Sequence, residues 1–335
     1  MCSKDNTVAK TLYIIGNGFD LAHSIKSKYS DYKSFYLSYK NNTRTSIVEP
    51  GTKPKEVEPI QTGLDPELFF EKLEGDWSNI EEAIGKYIVE SICEIIELDE
   101  DDNEDGNEDV DVDIENLLEK DHRKAARLEY FFKNTINALR TLFKKWVDQI
   151  DINVKPNKKQ YPFKKDSIFL TFNYTKTLES LYGIDESRIC YIHGKRKRDE
   201  EYVFGHNRYE NPVVIQKHLD YIGNVDVRKE VIDIMNDFVK PYDRCLNTLK
   251  HFLGNEKINE VVVCGHSLGD VDFKYFQWLV GKIGNELPWT IDYFYEDEID
   301  RIYKVKNDLN LTNVYVRCVN TEDEYLKVND IEDIY

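Results

Sequence analysis

Residues Tyr13–His23 read YIIGNGFDLAH: three apolar residues, a Gly-Asn-Gly turn, an aspartate, then the opening of a helical pattern. This predicts a strand running through a glycine turn into a helix, a device by which α/β proteins bring backbone close to a nucleotide. Gly16 and Gly18 supply two glycines of a G-x-G-x-x-G fingerprint, and Leu21 takes the third position. The turn is a weak signal alone, so its meaning depends on the rest of the chain.

From Ser167 onward, short apolar runs alternate with helical segments, the pattern of parallel strands joined by crossover helices. Strands are expected at Ser167–Thr171, Arg188–Ile192, Tyr202–Phe204, Glu260–Cys264, Thr290–Tyr295 and Val314–Cys318. Helices are expected near Leu21–Tyr39, Thr175–Tyr182, Val225–Leu253, Val271–Ile283 and Glu298–Leu309. The fold class that follows is α/β, a doubly wound, mainly parallel sheet of Rossmann-like type with a large helical insertion.

The insertion lies between the first strand-turn-helix and the later strands. Residues 41–66 lose periodicity and gain four prolines and Gly51, which reads as a loop or irregular excursion. Glu67–Leu98 returns to helical spacing, broken near Gly75 and Asp76, and Asp121–Gln149 reads as one long amphipathic helix. Between them Asp99–Asp113 holds ten carboxylates and no basic residue, the composition of a solvated loop. Asp101, Asn103, Asp105, Gly106 and Asp109 fall on calcium-loop positions, yet Val112 stands where the bidentate glutamate belongs. The expected organisation is a core from 1–40 and 160–320, a helical insertion over 41–159 with its acidic loop, and a tail over 321–335.

Composition narrows the function. The 335 residues carry a net charge of −18, of which the acidic loop accounts for ten, leaving −8 on the rest. Phosphate neutralisation dominates nucleic-acid affinity, so general binding to DNA or RNA is disfavoured. No apolar run approaches the roughly 18 to 20 residues of a membrane span, and the N-terminus lacks a signal-peptide core. Six scattered cysteines without a C-x-x-C pair fit reduced, buried thiols and no metal site. A cytoplasmic protein without a membrane partner is the expectation.

In doubly wound sheets ligands sit beyond the carboxyl ends of the strands. Those ends carry Gly16-Asn17-Gly18, Thr171-Phe172-Asn173-Tyr174, His193-Gly194, Gly205-His206-Asn207 and Gly265-His266-Ser267-Leu268-Gly269-Asp270. Turns are polar and glycine-rich in general, but five such ends in one chain predict a convergent pocket. The last contains G-x-S-x-G after a strand, the context of a nucleophile elbow, so a serine esterase using Ser267 is an alternative. In α/β-hydrolases the histidine follows the serine, whereas no histidine of this chain lies beyond Ser267.

Taken together, YIIGNGFDLAH with Tyr29, the W-x-x-x-E of Trp77 and Glu81, FLTFNYT, YIHG, FGHN and CGHSLGDVD resemble the AbiH family of bacteriophage abortive infection proteins, over about residues 11–320. The order also resembles, more distantly, the nucleotide-binding core of sirtuin-like proteins. That likeness implies an NAD-binding sheet, with Gly16, Asn17 and Gly18 near a diphosphate and Asn173 near the nicotinamide ribose. It implies His193 as general base and Gly265, His266 and Ser267 around a ribose; Phe19, Thr171, His206 and Asp270 complete the expected ligand-binding residues. The zinc-binding cysteine quartet of the deacetylases is absent, which disfavours protein deacylation. The AbiH resemblance implies a phage-derived trigger or homo-oligomerisation as a condition of activity.

These readings predict a phage-defence protein that binds a nucleotide and hydrolyses the nicotinamide–ribose bond of NAD, needing no further cofactor. His193 would take a proton, Asn173 would orient water or amide, and Asp20 or Glu81 would stabilise the developing cation. The alternative is a nucleotide-binding sensor without turnover. Several residues keep a second reading: Asn173 as a helix cap, His206 as a turn residue, and Trp77 with Glu81 as a packing residue beside a surface carboxylate.

Overall fold

The computed structural model describes residues 9–45, 77–97, 126–128, 130–153, 161–197, 202–206, 220, 225–320 and 328–333. They group into two compact units, the described residues of Met1–Lys28, Val147–Val203 and Pro241–Tyr335, and those of Tyr29–Trp146 and Phe204–Lys240.

The first unit is built on a seven-stranded sheet. β1 (Lys10–Ile15) leads into α1 (Asn17–Ala22), and β2 (Ser167–Thr171) follows later in the chain. Both strands are near-continuous apolar runs because both sheet faces are covered. In the second unit lie α2 (Tyr29–Thr45), α3 (Trp77–Glu97) and a π-helical turn at Phe131–Ile136 leading into α4 (Asn137–Gln149), which passes into the first unit at Val147. The first unit continues with α5 (Thr177–Tyr182) and β3 (Ile189–Tyr191); α6 spans Val225–Asp237. Then come α7 (Tyr242–Leu253), β4 (Ile258–Cys264), α8 (Phe273–Ile283), β5 (Pro288–Tyr293), α9 (Glu298–Asp308), β6 (Asn313–Cys318) and β7 (Val328–Asp330).

The strand order is β3-β2-β1-β4-β5-β6-β7, parallel throughout except for the antiparallel edge strand β7. Its first six strands follow the 3-2-1-4-5-6 order of dinucleotide-binding sheets, whose direction of winding reverses between β1 and β4. Alternate side chains of each strand feed opposite cores. Leu12, Ile14, Leu170, Val261 and Val263 pack with Leu249 of α7, Phe276 of α8 and Ile302 of α9. Tyr13, Ile15, Phe169, Val262 and Cys264 pack with Phe19 of α1 and Leu178 of α5. Helices on both faces make the sheet doubly wound, as expected.

Several expected elements differ. The helix expected over Leu21–Tyr39 is two: Ser24 takes a left-handed φ of 59°, and the Asp20 carbonyl accepts from both His23 and Ile25 N–H, closing α1 early. The Val225–Leu253 helix is also two, because Pro241 ahead of α7 has no N–H to continue a helical ladder. Tyr202–Phe204 forms no strand; Val203 N–H makes a single bond to the His193 carbonyl. The long helix ending at Gln149 carries a π-turn in its described part. β7 falls in the 321–335 segment that the sequence pattern reads as a tail. The acidic loop with its calcium-like spacing and most of the proline-rich excursion lie outside the described residues. No described helix is long and apolar enough to cross a membrane.

Candidate functional site

The winding reversal brings the β1–α1 turn against the segment after β4. Gly16 N–H donates to the Cys264 carbonyl (3.0 Å), Gly18 N–H to the Gly265 carbonyl (2.8 Å) and Phe19 N–H to the Gly16 carbonyl (3.0 Å). A Cβ on Gly16 would stand 2.5 Å from His266 Cα, and one on Gly18 2.8 Å from Gly265 Cα. A Cβ on Gly265, whose φ is 64°, would meet Phe19 N at 2.2 Å. The glycines are thus required by a seam of backbone pressed on backbone. Gly16 and Gly18, expected near a diphosphate, and Phe19, an expected ligand-binding residue, direct their N–H groups into this seam. Asn17 Oδ1 accepts from the Ser27 hydroxyl (2.6 Å).

Beneath the seam lies a polar latch. Asp20 is buried, with Oδ2 accepting from Thr175 Oγ1 (2.6 Å) and Oδ1 from Thr177 Oγ1 (2.7 Å). Burial pushes its carboxyl up to about 6, against the hydrogen bonds from Thr175, Thr177 and Asn173 that favour the charged form. Asn173 Nδ2 donates to the Gly16 carbonyl (2.9 Å), and its backbone N–H donates to Thr171 Oγ1 (3.1 Å). Asp20, Thr171 and Asn173 therefore join the end of β2 to the glycine turn. Asn173 does not cap α5, whose cap residue is Lys176.

The ionisable groups gather beside this seam. His193, in the turn after β3, places Nε2 3.5 Å from Asp272 Oδ1, and His266, after β4, places Nε2 3.6 Å from Asp272 Oδ2. The three side chains are 5%, 6% and 14% exposed, respectively. Phe172, just past β2, sets its ring edgewise to both imidazoles, at 4.2 Å from His266 and 5.3 Å from His193. His266 Nδ1 accepts the Leu268 N–H (2.8 Å), and Leu268 adopts a φ of 54°. A left-handed conformation in a leucine costs about 1–3 kcal/mol and marks a turn held by its surroundings. That bond puts the proton of neutral His266 on Nε2, facing Asp272. An Nε2–H nitrogen has no lone pair for a metal, and no group of three potential metal ligands occurs among the described residues.

The turn carrying His193 is clamped. Lys195 Nζ, 3% exposed at the side chain, lies 2.6 Å from Glu179 Oε1 and 2.7 Å from Glu186 Oε2. The other oxygen of Glu179 accepts the Tyr191 hydroxyl, and the Arg196 guanidinium donates to the carbonyls of Ile150 and Asp148.

Asp272, Lys195 and Glu179 are absent from the expected site. Asp272 lies in the motif CGHSLGDVD two residues after Asp270, so the motif marks the loop but does not tell its two carboxylates apart. Asp270 itself points to solvent, its side chain 89% exposed and 3.8 Å from Lys304. Residues 265–272 separate β4 from α8, so the direct strand-to-helix elbow expected of an esterase does not form, and Ser267 makes no hydrogen bond to a described histidine. His206 belongs to the second unit, bonded through its backbone to Phe238 and Lys240, with its ring over Gly85 of α3. Trp77 and Glu81 lie in α3, and their side chains fall outside the described residues.

In comparisons with known proteins, the family model described as Bacteriophage abortive infection AbiH matches residues 12–293. No curated protein and no solved structure matches the chain.

Proposed function

The chain belongs to the AbiH family of bacteriophage abortive infection proteins, and on that footing we propose that it is a defence protein that hydrolyses the nicotinamide–ribose bond of NAD⁺. The observation that carries the proposal is the sharing of Asp272 by His193 and His266 at strand ends beside the winding reversal of a 3-2-1-4-5-6 sheet.

The chemistry fits such a site. Water attacks the anomeric carbon through an oxocarbenium-like state; the C–N bond breaks with its electron pair passing to the pyridine nitrogen, and neutral nicotinamide leaves. The proton of the attacking water passes to a base. In the proposed mechanism Asp272, 3.5 Å from His193 Nε2, would take a hydrogen bond from that nitrogen, leaving Nδ1 as the base, and the carboxylate would stabilise the imidazolium formed. Fixed as an Nε2–H donor by Leu268, His266 would hold Asp272 ionised and oriented. Separations of 3.5 and 3.6 Å are of the looser kind that tightens when substrate binds. Asp20 and Asn173 act here as positioning residues, because their polar atoms serve the latch.

The near-complete burial of both imidazoles favours a second reading, a sensor that holds the nucleotide without turnover. Release of nicotinamide from NAD⁺ by purified protein, and NAD⁺ content in phage-infected cells expressing it, distinguish the two. Release by wild type with loss in His193→Ala is expected. Tight NAD⁺ binding without release, in both settings, would contradict the hydrolase and leave the sensor.

A further inference from the structure

β5 ends at Tyr293, and the next two residues, Phe294 and Tyr295, are 43% and 61% exposed. Their rings meet edge to face at 4.8 Å and 77°. This turn is anchored rather than loose: Phe294 N–H donates to Glu298 Oε2 (3.2 Å) in the first turn of α9. β5 neighbours β4 in the sheet, so the pair emerges at the carboxyl edge one strand from the segment carrying His266 and Asp272. Lys304 of α9 lies 3.8 Å from Asp270 in the segment after β4, both side chains solvent-exposed.

The charge around the pair is one-sided. Glu296 and Asp297 are exposed beside it, Glu298 is half-buried, and Asp270 stands across the Lys304 contact. The basic groups here, Arg301 and Lys304, are each within ion-pair distance of a carboxylate. Carboxylates repel a phosphate, while the negative face of an aromatic ring attracts a cation. A flat, apolar and positively charged group satisfies both conditions.

We propose that Phe294 and Tyr295 form a platform for the cationic N-ribosylated pyridinium ring of an oxidised nicotinamide dinucleotide, an assignment that rests on the nucleotide reading above. The platform favours the ring while it is charged and loses that preference once the bond is broken and nicotinamide is neutral. It therefore discriminates NAD⁺ from NADH and acts on KM, because attraction to the ground-state cation does not lower the barrier of the chemical step.

Calorimetric titration of NAD⁺ and NADH into wild type and into the double variant Phe294→Ala/Tyr295→Ala tests this. Both residues are solvent-exposed, and unchanged thermal melting checks the fold of the variant. Wild type should bind NAD⁺ about two- to fivefold more tightly than NADH, the range of an exposed cation–aromatic contact. The double variant should bind the two equally, the preference for NAD⁺ being lost whatever apolar contact both ligands lose. Equal binding by wild type, or a preference that survives in the double variant, overturns the platform and leaves the nucleotide reading standing. Failure of wild type to bind either dinucleotide overturns both.

Discussion

The glycine seam and the histidine–aspartate cluster occupy neighbouring strand ends but solve opposite problems. In the seam, Gly16, Gly18 and Gly265 bring two backbones so close that no side chain fits, and their N–H groups bond to the protein itself. In the cluster, His193, His266 and Asp272 keep ionisable atoms 3.5–3.6 Å apart, within reach of rearrangement. A glycine-rich turn can therefore be a packing device, while the chemistry sits one turn away.

The largest effect is expected from breaking the seam. Gly265→Ala should destabilise the protein by about 3–5 kcal/mol in urea unfolding, because the new methyl meets backbone atoms in a left-handed turn. A loss below about 1 kcal/mol would mean the two turns can separate.

The latch beneath should respond to pH. Asp20 rises from 3.8 to about 6 on folding, so between these values the folded chain binds more protons than the unfolded one, and stability falls as pH rises. The total is about 3 kcal/mol, fully present below the unfolded value and lost as pH passes the folded value. Asp20→Asn should remove this contribution to the slope in denaturation measured from pH 3.5 to 7; an unchanged slope would place the titration elsewhere.

Smaller again, Thr177→Val removes one charge-directed hydrogen bond and should cost about 1.5–3 kcal/mol, read by the same unfolding assay. Asp270→Ala should have the least effect, within about 0.5 kcal/mol, since that side chain is solvated. A large loss there would erase the distinction between the two aspartates of the loop.

Much of the sheet was legible from sequence. Runs such as SIFLT and VVVC are apolar on both faces because helices cover both, and that pattern survives without tertiary information. What failed were positions decided by single backbone contacts. The break after α1 depends on Ser24 and the Asp20 carbonyl, and Tyr202–Phe204 has strand composition but only one backbone bond from Val203 to the segment after β3. For the site, the histidines at strand ends could be read from position alone. Asp272 could not be told from Asp270, because α8 and its preceding turn decide which carboxylate faces inward. The engaged N–H groups of the glycine turn were equally invisible, since they depend on the approach of Gly265 from far along the chain.

The most direct test of the account compares the two aspartates of one loop. Nicotinamide release from NAD⁺ should be followed for wild type, Asp272→Asn and Asp270→Asn under identical conditions. Wild type and Asp270→Asn should release nicotinamide at similar rates, and Asp272→Asn should lose about a hundredfold or more with thermal melting unchanged. Release by Asp272→Asn at the wild-type rate would contradict the account.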